Sequence, residues 1–183
     1  MRIAYRTLAA AVTAALLAAP ALAAQAPQAP PKPGPEVQKL AYFAGRWSET
    51  VDMKPGPMGP GGKMTATSTC EWFSGGFYLV CRSDGRGSSG EIHGLGILGY
   101  SSDRKRYTYY GIDNSGTGGD PAYGDVAGDT WTWEGESLMG GQTVKGRYVV
   151  KQLSPDKYSW KWEMSVAGGA WTPVGEGTDT RIK

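Results

Sequence analysis

The feature that most limits what this chain can fold into is a change of hydrophobic period at Gly45 that is never reversed. Val51 and Met53 alternate with Thr50 and Asp52, and Met64, Ala66, Cys70 and Trp72 alternate with Lys63, Thr65, Thr67 and Glu71. A two-residue period places one set of side chains on each face of a strand. Further alternating runs cover 77–84, 91–100, 105–113, 121–127, 129–136, 142–153, 157–166 and 171–182. Between them stand turn formers such as Ser74-Gly75-Gly76, Ser101-Ser102-Asp103, Asp113-Asn114-Ser115-Gly116, Gly140-Gly141, Ser154-Pro155-Asp156 and Gly168-Gly169. Only "PEVQKLAYFAG" departs from this pattern. There Val37, Leu40, Ala41 and Ala44 recur at helical spacing over 36–44, with Pro35 ahead and Gly45 behind. One short helix followed by about ten strands on short connections predicts an all-β, antiparallel up-and-down barrel, which buries one face and leaves no sheet edge. A two-sheet sandwich is the alternative.

The first residues set the compartment. Arg2 and Arg6, the apolar run "TLAAAVTAALLAAP" and the small-x-small Ala21-Leu22-Ala23 have the layout of a secretory signal peptide, residues 1–23, cleaved near Ala23. The run is too short to span a membrane, and the cleavage site lacks a lipidation cysteine, so a periplasmic or secreted protein without membrane insertion is expected. "AQAPQAPPKPGP", residues 24–35, reads as a Pro-rich tether, and residues 36–183 as a single barrel domain. Once Arg2 and Arg6 are removed, basic and acidic residues are equal in number, which gives no electrostatic case for a nucleic-acid partner.

Two motifs reduce to structure. "HGLGILG" carries Gly94, Gly96 and Gly99 at G-x-G-x-x-G spacing. A dinucleotide site needs a helix opening on those glycines, whereas here they lie within a strand and a Ser-Ser-Asp turn follows, so they relieve strand curvature. Cys70 and Cys81 flank Gly75-Gly76, and a two-residue turn there sets them directly opposite each other, within disulfide reach. An exported compartment permits that bond.

The chemistry-bearing residues are sparse. With His93 as the only histidine, there is no metal-binding or triad pattern, and neither a metal nor any other cofactor is implied. His93 belongs to the barrel wall or surface, or lines a cavity as a polar contact. If Trp47, Val51 and Met53 face inward, Glu49 does as well, making it the candidate buried acid; Asp113 and Glu176 share the phase of their apolar neighbours Tyr109 and Val174. Seven tryptophans and ten tyrosines include the same-face pairs Trp131/Trp133 and Trp160/Trp162. With Trp72 and Tyr109, these rings either pack a core or line a pocket in a barrel too wide to be filled. "KPGPMGPGGK", Lys54 to Lys63, is a loop at one opening with Met58 at its tip, a connection or a lid.

At "LAYFAGRW", Phe43, Gly45 and Trp47 resemble the F-x-G-x-W that opens calycin barrels, the group of lipocalins, fatty-acid-binding proteins and nitrobindin-like proteins. With the Pro-Gly loop and "GLGILGYSSDRKRYTYYGIDNSGTG", the chain resembles the DUF1579 family of uncharacterised, often exported bacterial proteins. The resemblance implies a barrel closed at one end by the helix, with Gly45 and Trp47 structural and Arg181 lying over Trp47 by cation–π contact. It brings no established activity. Nor does it imply haem, since the proximal histidine of nitrobindin-like barrels comes from late strands and His93 lies in the fourth. The function expected is the binding of a small apolar molecule in an aromatic-lined cavity. The alternatives are an isomerase- or cyclase-type enzyme using Glu49, and an envelope protein acting through a surface partner.

Overall fold

The computed structural model describes residues 31–87, 90–116 and 118–183. The signal-peptide reading and most of the tether lie outside the described residues. Pro35, expected as the last tether residue, opens helix α1 (Pro35–Lys39), and a 3-10 turn follows over Leu40–Phe43. The tightening has a purpose. In a 3-10 turn side chains three apart share a face, so Leu40 and Phe43 are buried together while Ala41, expected on the apolar face of a continuous α-helix, is exposed.

Ten strands follow: β1 (Gly45–Met53), β2 (Gly62–Trp72), β3 (Leu79–Gly87), β4 (Gly90–Ser101), β5 (Arg106–Asp113), β6 (Ala122–Ala127), β7 (Thr130–Met139), β8 (Gln142–Ser154), β9 (Lys157–Val166) and β10 (Thr172–Arg181). Each pairs antiparallel with its sequence neighbour, and β10 returns to β1, so the sheet is a closed barrel. The sandwich alternative is excluded.

Outward positions of β1, β8 and β9 include the polar and charged Arg46, Ser48, Thr50, Asp52, Lys145, Lys151 and Lys161, whereas β4 and β5 turn Leu95, Ile97, Tyr110 and Ile112 outward. Among the described residues no helix is long and apolar enough to cross a membrane.

The helical segment closes one end. Phe43 meets Trp131, Trp133 and Tyr158 edge-on at 5.2, 6.2 and 5.6 Å between ring centroids. Tyr107 donates its hydroxyl to the Glu36 carboxylate at 2.8 Å, anchoring α1 across the barrel mouth. A second, smaller cluster of Val144, Met164 and Val174 is completed by Met53, Met58, Met139 and Trp162. Met58 comes from the Pro-Gly loop, so that loop folds onto the barrel instead of standing clear of it.

Cys70 and Cys81 face each other across the β2–β3 ladder and form a disulfide, with Cα atoms 4.0 Å apart. In the chain-entropy model, tying off so short a loop adds about 2–3 kcal/mol. Replacing both cysteines by alanine should lower stability by about that amount in urea denaturation. An unchanged midpoint would show that the hairpin is fully ordered without the bond.

Candidate functional site

Register decides which side chains enter the barrel. Along β1 the inward set is Trp47, Glu49, Val51 and Met53, whose ladder partners on β10 are Arg181, Asp179, Gly177 and Gly175. Two acids, Glu49 and Asp179, therefore stand directly opposite each other on adjacent strands and point into the barrel. Asp179 pairs on its other side with Tyr158, and Gly177 with Trp160. A Cβ on Gly177 would lie 2.5 Å from the Trp160 ring, so glycine there lets the indole lie against the β10 wall beside the acids. Tyr148, opposite Trp162 on β8, completes the group.

Part of this interior is accessible. Tyr109 points inward, opposite Leu98, yet is 40% exposed. It marks the end of the β5–β6 ladder, which runs over Tyr107, Thr108 and Tyr109 and is followed by an isolated Ile112–Gly118 bridge. Glycines make its room: a Cβ on Gly111 would come within 2.6 Å of the Tyr109 hydroxyl, and one on Gly96 within 3.1 Å of its ring. Inward-facing Glu49, Tyr148 and Trp162 are likewise only half-buried.

The electrostatics follow from burial. Asp179 is 2% exposed, and desolvation, then the neighbouring Glu49 charge, push its pKa up to about 8. Burial also raises Glu49, partly offset by the Trp160 indole. Two like charges leaving water together resist ionising together, so the pair retains a proton near neutral pH. Tyr148 and Tyr158 are held well above the usual phenol range, chiefly by burial and then by these two acids. Asp179 Oδ2 is buried without a hydrogen-bond partner.

The remaining singled-out residues lie elsewhere. Trp131 and Trp133 stack on each other at 5.5 Å beneath the helical cap and are 2% and 4% exposed. Trp72 is at the tip of β2 and 38% exposed. Asp113 faces inward at the far end of β5, where Ser115 donates its backbone N–H to the carboxylate at 2.8 Å. Glu176 faces outward and pairs with Lys54 at 2.9 Å, contrary to its expected phase. A register shift between Pro173 and Gly175 breaks the alternation carried by Val174 and turns Asp179, not Glu176, into the barrel. His93 also faces outward, with Nδ1 2.7 Å from Asp84 Oδ1, in an open polar depression of the outer wall with Ser48, Thr65, Thr67, Arg86 and Glu91. Of the three spaced glycines, Gly94 and Gly96 face inward, while Gly99 lies under the Tyr78 ring, which a Cβ would meet at 2.7 Å.

At the closed end, Trp47 is fully buried and donates its indole N–H to the Phe43 carbonyl at 2.8 Å. Arg181 lies over the Trp47 ring, 4.2 Å from its centroid, donates to the carbonyls of Ala44 and Tyr42, and pairs with Asp156. Gly45, at φ +113°, leaves the space that this guanidinium crosses, since a Cβ there would meet it at 2.7 Å.

A family model described as a protein of unknown function, DUF1579, matches residues 32–181. Among solved structures, Rv2717c from M. tuberculosis is similar at 16% identity and TM-score 0.59, over 83% of this chain and all of that one. The S-type phycobiliprotein lyase CPES from Guillardia theta is similar at 11% identity and TM-score 0.51, over 80% of this chain and 92% of that one. At these identities the likeness is one of fold. No curated protein matches the chain in sequence.

Proposed function

The chain belongs to the DUF1579 family, whose description assigns no function, and we propose from the interior itself that the barrel binds a small, mainly apolar molecule. The observation that carries this reading is Tyr109, a residue whose side chain points into the barrel and which is still 40% exposed. A filled core would cover it. The contacts proposed for the ligand are Tyr109, Tyr148, Trp160, Trp162 and Glu49, with the methionines beneath the Pro-Gly loop taking apolar bulk. Trp131, Trp133 and Trp72 serve the closed end and the hairpin. We place the protein outside the cytoplasm, on its signal-peptide layout and on the Cys70–Cys81 bond, which suits an oxidising compartment.

Because Trp160 and Trp162 border the proposed space, ligand entry should change tryptophan emission. Titration with fatty acids, retinoids and aromatic amines is expected to give a saturable change for at least one class, at micromolar affinity. Filling the space tests the location. Gly94 faces inward with ordinary φ, and a Cβ there meets nothing closer than 3.8 Å. Gly94→Leu should therefore fold and weaken binding at least tenfold, about 1.4 kcal/mol. Full affinity in that variant would move the ligand out of the barrel, toward the surface-partner alternative.

A second reading has its own support. A carboxyl pair that holds one proton near neutral pH is suited to general acid–base chemistry of the isomerase or cyclase kind. Conversion of a bound ligand, with a fall in kcat in Glu49→Gln that exceeds any change in KM, would establish it.

A further inference from the structure

We infer that the ligand of this interior carries a cationic nitrogen, an ammonium group held between Glu49 and Asp179 and faced by the rings of Tyr109, Tyr148, Tyr158 and Trp160. The inference rests on the cavity reading above and names the head group that the cavity selects.

Charge is the first argument. Glu49 and Asp179 are ladder partners with both side chains inside the barrel. The groups that act on them from the surrounding strands are the Tyr158 hydroxyl and the indole of Trp160, with the phenols of Tyr42, Tyr109 and Tyr148 in electrostatic range. All of these are neutral. Among the described residues, the inward strand positions hold no lysine and no histidine, and Arg181 is engaged at the closed end by Ala44, Tyr42 and Asp156. The acids therefore face no cation of the protein's own.

The second argument is independent of the acids' number. Asp179 Oδ2 belongs to a side chain 2% exposed and has no hydrogen-bond partner. Buried polar atoms are almost always satisfied, and an unsatisfied buried acceptor marks where a donor belongs. An ammonium donates to Asp179 and Glu49, and its charge removes their repulsion. Neighbouring aromatic rings suit the same group, because a cation near tyrosine or tryptophan is attracted by the ring quadrupole. The apolar remainder then runs toward Trp162 and the methionine cluster, which includes Met53, Met58 and Met139.

Binding on these terms expels the proton that the pair retains, so affinity rises with pH as the pair ionises and falls once the amine itself loses its proton. Three probes of one shape separate the possibilities: 4-phenylbutylamine, 4-phenylbutanol and 4-phenylbutyrate, titrated against tryptophan emission of the full chain between pH 6 and 9. The amine is expected to bind at least tenfold more tightly than the alcohol at pH 8, with the carboxylate weakest. Asp179→Asn with Glu49→Gln should erase that preference, the amine losing at least tenfold more affinity than the alcohol. If the double variant does not fold, the wild-type ratio of amine to alcohol and its rise with pH decide alone. Equal binding of amine and alcohol, or a preference for the carboxylate, overturns the inference and leaves the cavity reading in place. If none of the three binds but a fatty acid or retinoid does, the inference again falls alone. Silence from every probe removes both.

Discussion

Trp47→Ala should cost about 3–5 kcal/mol of stability, the range for truncating a large buried aromatic. Three losses coincide at this residue. The ring is fully buried, with Tyr158 at 4.8 Å and Tyr42 at 6.0 Å between centroids. Its N–H satisfies the Phe43 carbonyl, fixing how the 3-10 turn enters β1. Its face carries the Arg181 guanidinium, which in turn ties together Ala44, Tyr42 and Asp156. Trp47→Phe separates these contributions, since it keeps a ring and removes the N–H; leaving the carbonyl unsatisfied should cost only about 1–2 kcal/mol. Urea denaturation of both variants checks the ordering. A loss below about 1 kcal/mol for Trp47→Ala would mean that the helical cap is held without this ring.

The fold was legible because alternation is a local signal repeated ten times over. Each run announces its own phase, and short turns force sequential neighbours to pair, so barrel closure follows from the need to cover two edges. Cys70 and Cys81 were legible for the same reason, since a tight turn fixes register by arithmetic. Glu49 was legible because Trp47, Val51 and Met53 carry an unbroken phase through it. Asp179 was not. The phase of β10 is set at Val174, the strand then shifts register between Pro173 and Gly175, and the glycines at 175 and 177 bear no apolar side chain to announce the change. The site's second acid thus lay one bulge away from being readable. Depth along the barrel was hidden as well. Alternation tells that Trp131, Trp133, Trp160 and Trp162 face inward, but not that the first two pack under Phe43 while Trp162 reaches the methionine cluster at Val144 and Met164. That depends on where the chain lays its helical cap.

Asp179→Asn is expected to make the protein more stable at pH 7, by on the order of 4 kcal/mol. An aspartate titrates near 3.9 in the unfolded chain, and burial beside Glu49 lifts Asp179 to about 8 in the folded one. Between those values the folded state binds more protons than the unfolded state, so stability falls as pH rises, by about 1.4 kcal/mol per unit for one proton. The contribution is fully favourable below the unfolded pKa and fully lost above the folded one. Asparagine has nearly the shape of the protonated acid and nothing to titrate. Wild type and variant should therefore have similar stability near pH 4 and diverge steadily up to pH 8, and urea denaturation across that range reads the difference directly. If the variant is instead less stable at pH 7, Asp179 is held ionised by a favourable partner within the barrel, and the acid pair needs no external cation. The expected divergence has a physical meaning beyond the number. A barrel interior built for stability alone would favour an apolar side chain at this position, so the divergence is what the ligand reading proposed above expects of Asp179.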